Sequence, residues 1–434
     1  MMISTIEVLK QEDIGPAVSV IRGRSAVPPS TVTAVRQIID AVRDKGDAAL
    51  SELTRRYDGI SIAASDLEVP VAERKSAWDA LDEETREALT KAENRITWFA
   101  RGSLQPDWTL EQSPGLSVGQ THRPLETVGI YLPGGRYPYP STALMTGVLA
   151  REAGVPDIIF CVSPGPQGTI DTSTLAATTL VGECRVFRAG GAQAIAAMAY
   201  GTETIPRCAM IAGPGNIYVT TAKRLLSNLV TIDLDAGPSE MAAYVDGSVD
   251  ISYPCADAFA QLEHDPLAIA VIVSESADVL DSASGLISGL ADGLQGESAA
   301  NGNISLIRSA AREISIDFLN VLAPEHLELM VDGAADVVQE IRSAGCVFIG
   351  PYSAVALGDY IAGPSHVLPT GGTASRLSGL KAEDFRRTMS VISYTKEGFE
   401  ADVSQAGLLA RLEGLRSHSQ SLDIRIRGTQ QQQT

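Results

Sequence analysis

Five histidines occur in this chain of 434 residues, at positions 122, 264, 326, 366 and 418, and four of them lie beyond residue 260 beside a carboxylate, an amide or a Gly-Pro turn. Imidazole titrates near neutral pH and ligates transition metals, so these settings are the ones suited to acid–base or metal chemistry. Gln261-Leu-Glu-His264 falls in a segment expected to be helical from about Tyr253. At i, i+3 its amide and imidazole share a face, and with carboxylates they make the N/O donor set that zinc or manganese accepts. A solvated helix face is the other reading of that spacing. Ala323-Pro-Glu-His-Leu327 sets an acid and an imidazole directly after a proline, where a helix start or a turn is expected. Glu325 and His326 would then point apart and serve two separate proton transfers, unless Glu325 only complements a helix dipole. Gly358-Asp-Tyr-Ile-Ala-Gly-Pro-Ser-His-Val-Leu-Pro-Thr370 joins Asp359 to His366 through a Gly-Pro turn, a backbone type that approaches ligands closely. Glu413-Gly-Leu-Arg-Ser-His418 adds an acid and a histidine five apart, which alone means little.

The elements that must position these groups alternate. Short β-branched runs at 128–132, 158–162, 185–188, 209–212 and 229–232 predict five buried strands, and the stretches 141–153, 171–182, 192–200 and 217–227 predict crossover helices. Together they make a right-handed parallel α/β sheet. A second alternation runs over 242–350, with 269–273 and 347–349 its clearest strands. The opening section reads as helical, with two amphipathic helices over 31–58 and a third over 82–100. Around 280–290 a weak helix is expected, followed by an exposed loop up to residue 302. Tyr131-Leu-Pro-Gly-Gly135, Ala189-Gly-Gly-Ala-Gln193 and Ala212-Gly-Pro-Gly-Asn216 each end a predicted strand and precede a predicted helix, where α/β sheets bind ligands. No G-x-G-x-x-G motif is present, so tight structural turns remain the alternative.

Composition sets bounds. The 34 basic and 53 acidic residues leave a net charge of −19, and no run of five Lys or Arg occurs, which argues against nucleic acid and anionic membrane as partners. Hydrophobic content of 44% with 20% charged residues is that of a folded chain, long enough for about three domains. No apolar stretch approaches the ~20 residues of a bilayer span. The N-terminus lacks a basic start and a sustained apolar region, so a cytoplasmic location is expected. The five cysteines are scattered without a C-x-x-C pair and read as reduced, buried thiols.

Taken together, Val42-Arg-Asp-Lys-Gly-Asp47, Arg123-Pro-Leu-Glu-Thr-Val-Gly-Ile-Tyr-Leu-Pro-Gly-Gly135, Ala236-Gly-Pro-Ser-Glu240, the histidine segments and Glu413-Gly-Leu resemble histidinol dehydrogenase in type and order. The resemblance implies an enzyme that uses NAD and Zn2+ to oxidise L-histidinol through the aldehyde to L-histidine. It implies Gln261, His264, Asp359 and His418 as zinc ligands that also meet the substrate, and Glu325 and His326 as proton acceptors. Ser239, His366 and Glu413 fall at substrate-contact positions, and Tyr131, Gln193 and Asn216 at NAD-contact positions. It also implies two incomplete Rossmann-like lobes with parallel sheets and small helical terminal segments. On this basis 1–125 and 236–380 form the first lobe, 126–235 the NAD-binding lobe, and 381–434 a C-terminal segment exchanged in a homodimer, so that Glu413 and His418 act in trans. Two positions depart from the family pattern. Asp235 stands where an uncharged residue is usual and Ser365 where Asn commonly precedes the His, which leaves another small alcohol as the alternative substrate.

Overall fold

The computed structural model describes residues 2–23, 28–134, 137–234, 237–263, 265–293 and 303–431; Asp235, His264 and the loop expected after the weak helix lie outside the described residues. The chain opens with β1 (Met2–Val8) and α1 (Gln11–Arg22), followed by α2 (Pro29–Lys45), α3 (Asp47–Tyr57), α4 (Val71–Asp79) and α5 (Glu83–Ser103). After β2 (Trp108–Ser113) and β3 (Leu116–Pro124) comes a regular alternation. It comprises β4 (Thr127–Leu132), α6 (Pro140–Glu152), β5 (Asp157–Val162), α7 (Thr172–Leu180), β6 (Arg185–Arg188), α8 (Gly191–Tyr200), β7 (Met210–Ala212), α9 (Ile217–Leu226) and β8 (Thr231–Ile232). These strands form one parallel sheet in the order β6-β5-β4-β7-β8, in which Ile130 is paired with Phe160 on one side and Ala212 on the other. β4 and β5 are buried at every residue but the first, because helices cover both faces and leave no solvent side for alternation to mark.

The second alternation contains β9 (Glu240–Val245), α10 (Ser252–Leu262), β10 (Ile269–Ser274), α11 (Ala277–Gly293), β11 (Asn303–Ser309), α12 (Arg312–Leu322), β12 (His326–Met330), α13 (Ala334–Val337), β13 (Cys346–Ile349) and α14 (Val355–Tyr360). Its parallel sheet has the order β1-β11-β10-β9-β12-β13. The molecule is thus α/β, with two incomplete Rossmann-like lobes.

The opening region divides between the lobes. β1 joins the six-stranded sheet as an edge strand and α1 packs on α12, whereas α2 packs on α8 and α9, α4 on α7, and α5 on α6. The sequence grouping of 1–125 with 236–380 therefore holds only for β1 and α1. The reason is coverage: α1 and α12 already close one face of the six-stranded sheet, and α10 and α11 the other.

The chain separates into two compact units, Met1–Ser103 with Leu125–Phe385, and Leu104–Pro124 with Arg386–Thr434. Both lobes belong to the first. In the second, β14 (Arg386–Tyr394) pairs antiparallel with β3, and β3 with β2, while α15 (Lys396–Leu412) packs on α16 (Arg416–Gln431). The helical terminal segment is as expected; the antiparallel sheet beside it is an addition the sequence reading lacked.

Candidate active site

The two lobes of the first unit border one cleft of about 2040 Å³, and they offer it opposite edges of their sheets. From the five-stranded sheet come the carboxyl ends of strands: Tyr131 near the end of β4 and Gly134 after it, Gln193 in the first turn of α8 after β6, and Gly213 to Asn216 after β7. From the six-stranded sheet come amino ends. Ser239 precedes β9, Glu325 precedes β12, and His326 begins it. Crossover helices run back against the strands, so the end of α10 delivers Gln261, and α14 delivers Asp359, to that same amino edge.

Of the helix start or turn expected after Pro324, no helix start is formed, so the helix-dipole reading of Glu325 falls away. Proline here ends α12, with Ala323 in a left-handed cap at φ 42°, and the chain goes straight into β12. Glu325 and His326 do not part company either: His326 Nδ1 lies 3.8 Å from Glu325 Oε2, and His326 Nε2 lies 3.4 Å from Asp359 Oδ1. Both side chains are buried. Burial pushes the Glu325 carboxyl up to about 7, against the pull of His326 and of the Glu240 N–H that donates to its Oε2 at 2.9 Å. Burial opposes charge on His326, but Glu325 and Asp359 outweigh it and raise the imidazole above its ordinary value. A carboxyl raised to about 7 beside a buried imidazole whose charged form its two acidic neighbours favour is a pair suited to general acid–base work.

His366 also faces the cleft and is fixed through both ring nitrogens. Nδ1 lies 2.7 Å from the Asp359 carbonyl oxygen and Nε2 3.1 Å from Thr142 Oγ1. A carbonyl only accepts, so in the neutral ring Nδ1 carries the proton and the Thr142 hydroxyl donates to Nε2. On the other wall, Tyr131 Oη lies 3.0 Å from Ser163 Oγ and accepts from the Gly191 N–H at 3.2 Å. Asn216 caps α9, its side-chain oxygen accepting from the Tyr218 and Val219 N–H groups at 3.0 and 3.2 Å.

Comparison with known proteins agrees with this architecture. The family model for histidinol dehydrogenase matches residues 23–426. The chain belongs to the histidinol dehydrogenase family. It is 41% identical over 420 residues to the histidinol dehydrogenase of Syntrophotalea carbinolica, covering 96% of this chain and 97% of that one. It is 43% identical over 400 residues to that of Methylococcus capsulatus, covering 91% of each. The crystal structure of histidinol dehydrogenase from Elizabethkingia anophelis superposes with a TM-score of 0.92 at 29% identity, over 98% of both chains.

Of the positions the histidinol dehydrogenase resemblance singled out, Tyr131, Gln193, Asn216, Ser239, Gln261, Glu325, His326, Asp359 and His366 line the one cleft. His264 lies outside the described residues. Glu413 and His418 belong to the second unit, where both are exposed, Glu413 ending α15 and His418 in the first turn of α16. Among the described residues, no three His, Cys, Asp or Glu side chains gather as a metal cluster. Gln261 and Asp359 nonetheless suit a divalent ion: their oxygen donors border the same cleft, and both ring nitrogens of the neighbouring His326 are buried without a hydrogen bond.

Ser365 does not line the cleft. Its hydroxyl donates to the Met145 carbonyl at 3.1 Å and accepts from the Val367 N–H at 3.2 Å, so this departure from the family pattern is absorbed by backbone. Sequence reasoning missed Thr142, Glu240 and the buried Lys223 and Asp233. Their partners lie far along the chain or across an element, and no local motif marks them.

Proposed function

We propose that this chain works as a cytoplasmic, zinc- and NAD-dependent histidinol dehydrogenase. It oxidises L-histidinol through L-histidinaldehyde to L-histidine in two NAD-linked steps, the last of histidine biosynthesis. The observation that carries this reading is the Glu325–His326–Asp359 group sharing one cleft with the three glycine-rich turns of the other lobe. No helix among the described residues is long and apolar enough to cross a membrane.

Tyr131, Gln193 and Asn216 would receive NAD at the carboxyl edge of the five-stranded sheet, the usual ligand edge of such sheets. Gln261, His264, Asp359 and His418 would hold zinc. When bound, these two groups supply a hydride acceptor and a Lewis acid that orients an amino alcohol. His326 takes the proton from the substrate hydroxyl. Glu325, neighbouring it and poised near neutrality, takes the proton of the water that hydrates the retained aldehyde, which prepares the second oxidation. Ser239, His366 and Glu413 contact the substrate. Glu413 and His418 would come from the partner subunit of a homodimer.

The test is stoichiometric: incubation with L-histidinol and NAD, counting NADH per histidine formed. Two NADH are expected. One NADH with aldehyde accumulating would remove the second step, and NADH from other small alcohols but none from histidinol would overturn the substrate.

A further inference from the structure

Lys223 and Asp233 form a buried ion pair on the cofactor side of the cleft, with side chains only 4% and 1% exposed. Taking two charges out of water costs several kcal/mol per ion, so a buried pair is poor evidence of stabilisation for its own sake. Its geometry suggests another use. Lys223 lies in the last turn of α9, and because helical side chains lean toward the helix N-terminus, its ammonium reaches back to donate to the Gly213 carbonyl at 3.0 Å. Asp233, just past β8, accepts the Gly213 N–H through Oδ2 at 2.7 Å. One ion pair therefore grips both polar groups of the first residue in the Gly213-Pro-Gly-Asn216 turn.

That residue has no freedom elsewhere. Gly213 sits at φ +112°, and a Cβ there would lie 2.1 Å from the Tyr131 carbonyl oxygen, so the turn is pressed against the end of β4. Three residues on, Asn216 caps α9, the helix that carries Lys223. The clamp thus closes a ring that runs from β7 through the turn and α9 to β8 and back to Gly213.

We propose that Lys223 and Asp233 are positioning residues that hold the Gly213–Asn216 turn in the shape that receives the dinucleotide, a role that rests on the NAD reading above. They act through the Gly213 peptide and not on the reacting atoms. A misplacement of about 1 Å in such a turn is enough to change productive binding severalfold or more.

The decisive variant removes both charges, Lys223→Met with Asp233→Leu, because replacing a whole buried pair by apolar groups leaves no orphan charge and is near neutral for folding. In the full-length chain it should melt within about 5 °C of wild type while its KM for NAD rises about tenfold or more; kcat at saturating NAD and KM for L-histidinol should stay within about threefold. Lys223→Arg, which keeps a cation on Asp233, should restore most of the NAD affinity. A folded double variant with unchanged KM for NAD overturns the proposal. So does a double variant that loses its melting transition, which would assign the pair to stability alone. If wild-type protein itself binds no NAD in a direct titration, the functional reading fails first and the clamp's role goes with it.

Discussion

Burial acts in opposite directions on Glu325 and His326, favouring the neutral form of each, and their separation of 3.8 Å lets each partly restore the other's charge. Under the proposed mechanism His326 is the base for the hydroxyl proton, so His326→Asn should lower turnover about 10²- to 10⁴-fold with bound zinc unchanged by elemental analysis. A near-wild-type rate would remove the residue from that role. Two positions along β12, Glu328 is fully buried and shares a hydrogen bond with the Asp257 carboxylate. Burial first, and Asp257 second, push this carboxyl up to about 10. An unfolded-chain glutamate titrates at about 4.3, so between that pH and about 10 the folded state keeps a proton the unfolded state has lost. Stability should therefore fall as pH rises through that window, by at most about 1.4 kcal/mol per pH unit from this one group. Glu328→Gln cannot titrate and keeps a donor for Asp257. It should raise the melting temperature clearly at pH 8 and much less at pH 5; an equal shift at both pH values would show that Glu328 is not held neutral.

At the level of elements, what the sequence disclosed followed burial. Strands β4 and β5 and their helices were legible because both faces are covered, which leaves continuous apolar runs bounded by glycine turns. β1 was not, since it is an edge strand whose partner β11 lies some three hundred residues away, and nothing local marks that pairing. β2 and β14 expose almost every residue, so neither alternation nor an apolar run marks them. The resemblance to histidinol dehydrogenase, carried by several motifs in order, implied that Gln261, Glu325, His326 and Asp359 belong together, but proline misdirected the local reading: a residue that often opens helices here closes one. α14 shows how an element sets a site. A Cβ on Gly358 would lie 2.6 and 2.7 Å from carbons of the Phe348 ring, whose centroid is 5.9 Å from that of His326. Gly358→Ala should therefore displace α14, and with it Asp359, at an overpacking cost of about 1–3 kcal/mol. Turnover and retained zinc should both drop while KM for NAD holds, and adding Phe348→Leu should recover part of the loss by making room. Full activity in the single variant would show that the contact yields without moving Asp359.

For the whole molecule, the telling feature is what the second unit lacks. Among its described residues no hydrophobic side chain is buried, and Ile392, Leu409, Leu412 and Ile424 are more than 60% exposed. A small unit with no core of its own needs another surface to make its folding favourable. In the proposed homodimer a second copy of this chain would supply such a surface by symmetry and bring Glu413 and His418 to the partner's cleft. Complementation separates this arrangement from one in which the segment serves its own chain. His326→Asn and His418→Asn chains are each expected to be nearly inactive as homodimers. Unfolded together in equal amounts and refolded, half of the dimers should be mixed. In trans, one of the two clefts in each mixed dimer combines an intact His326 with an intact His418, so activity should recover to about a quarter of wild type. In cis, every cleft carries one defect and the mixture should stay as inactive as its parents, which would end the case for exchange whatever the oligomeric state proves to be.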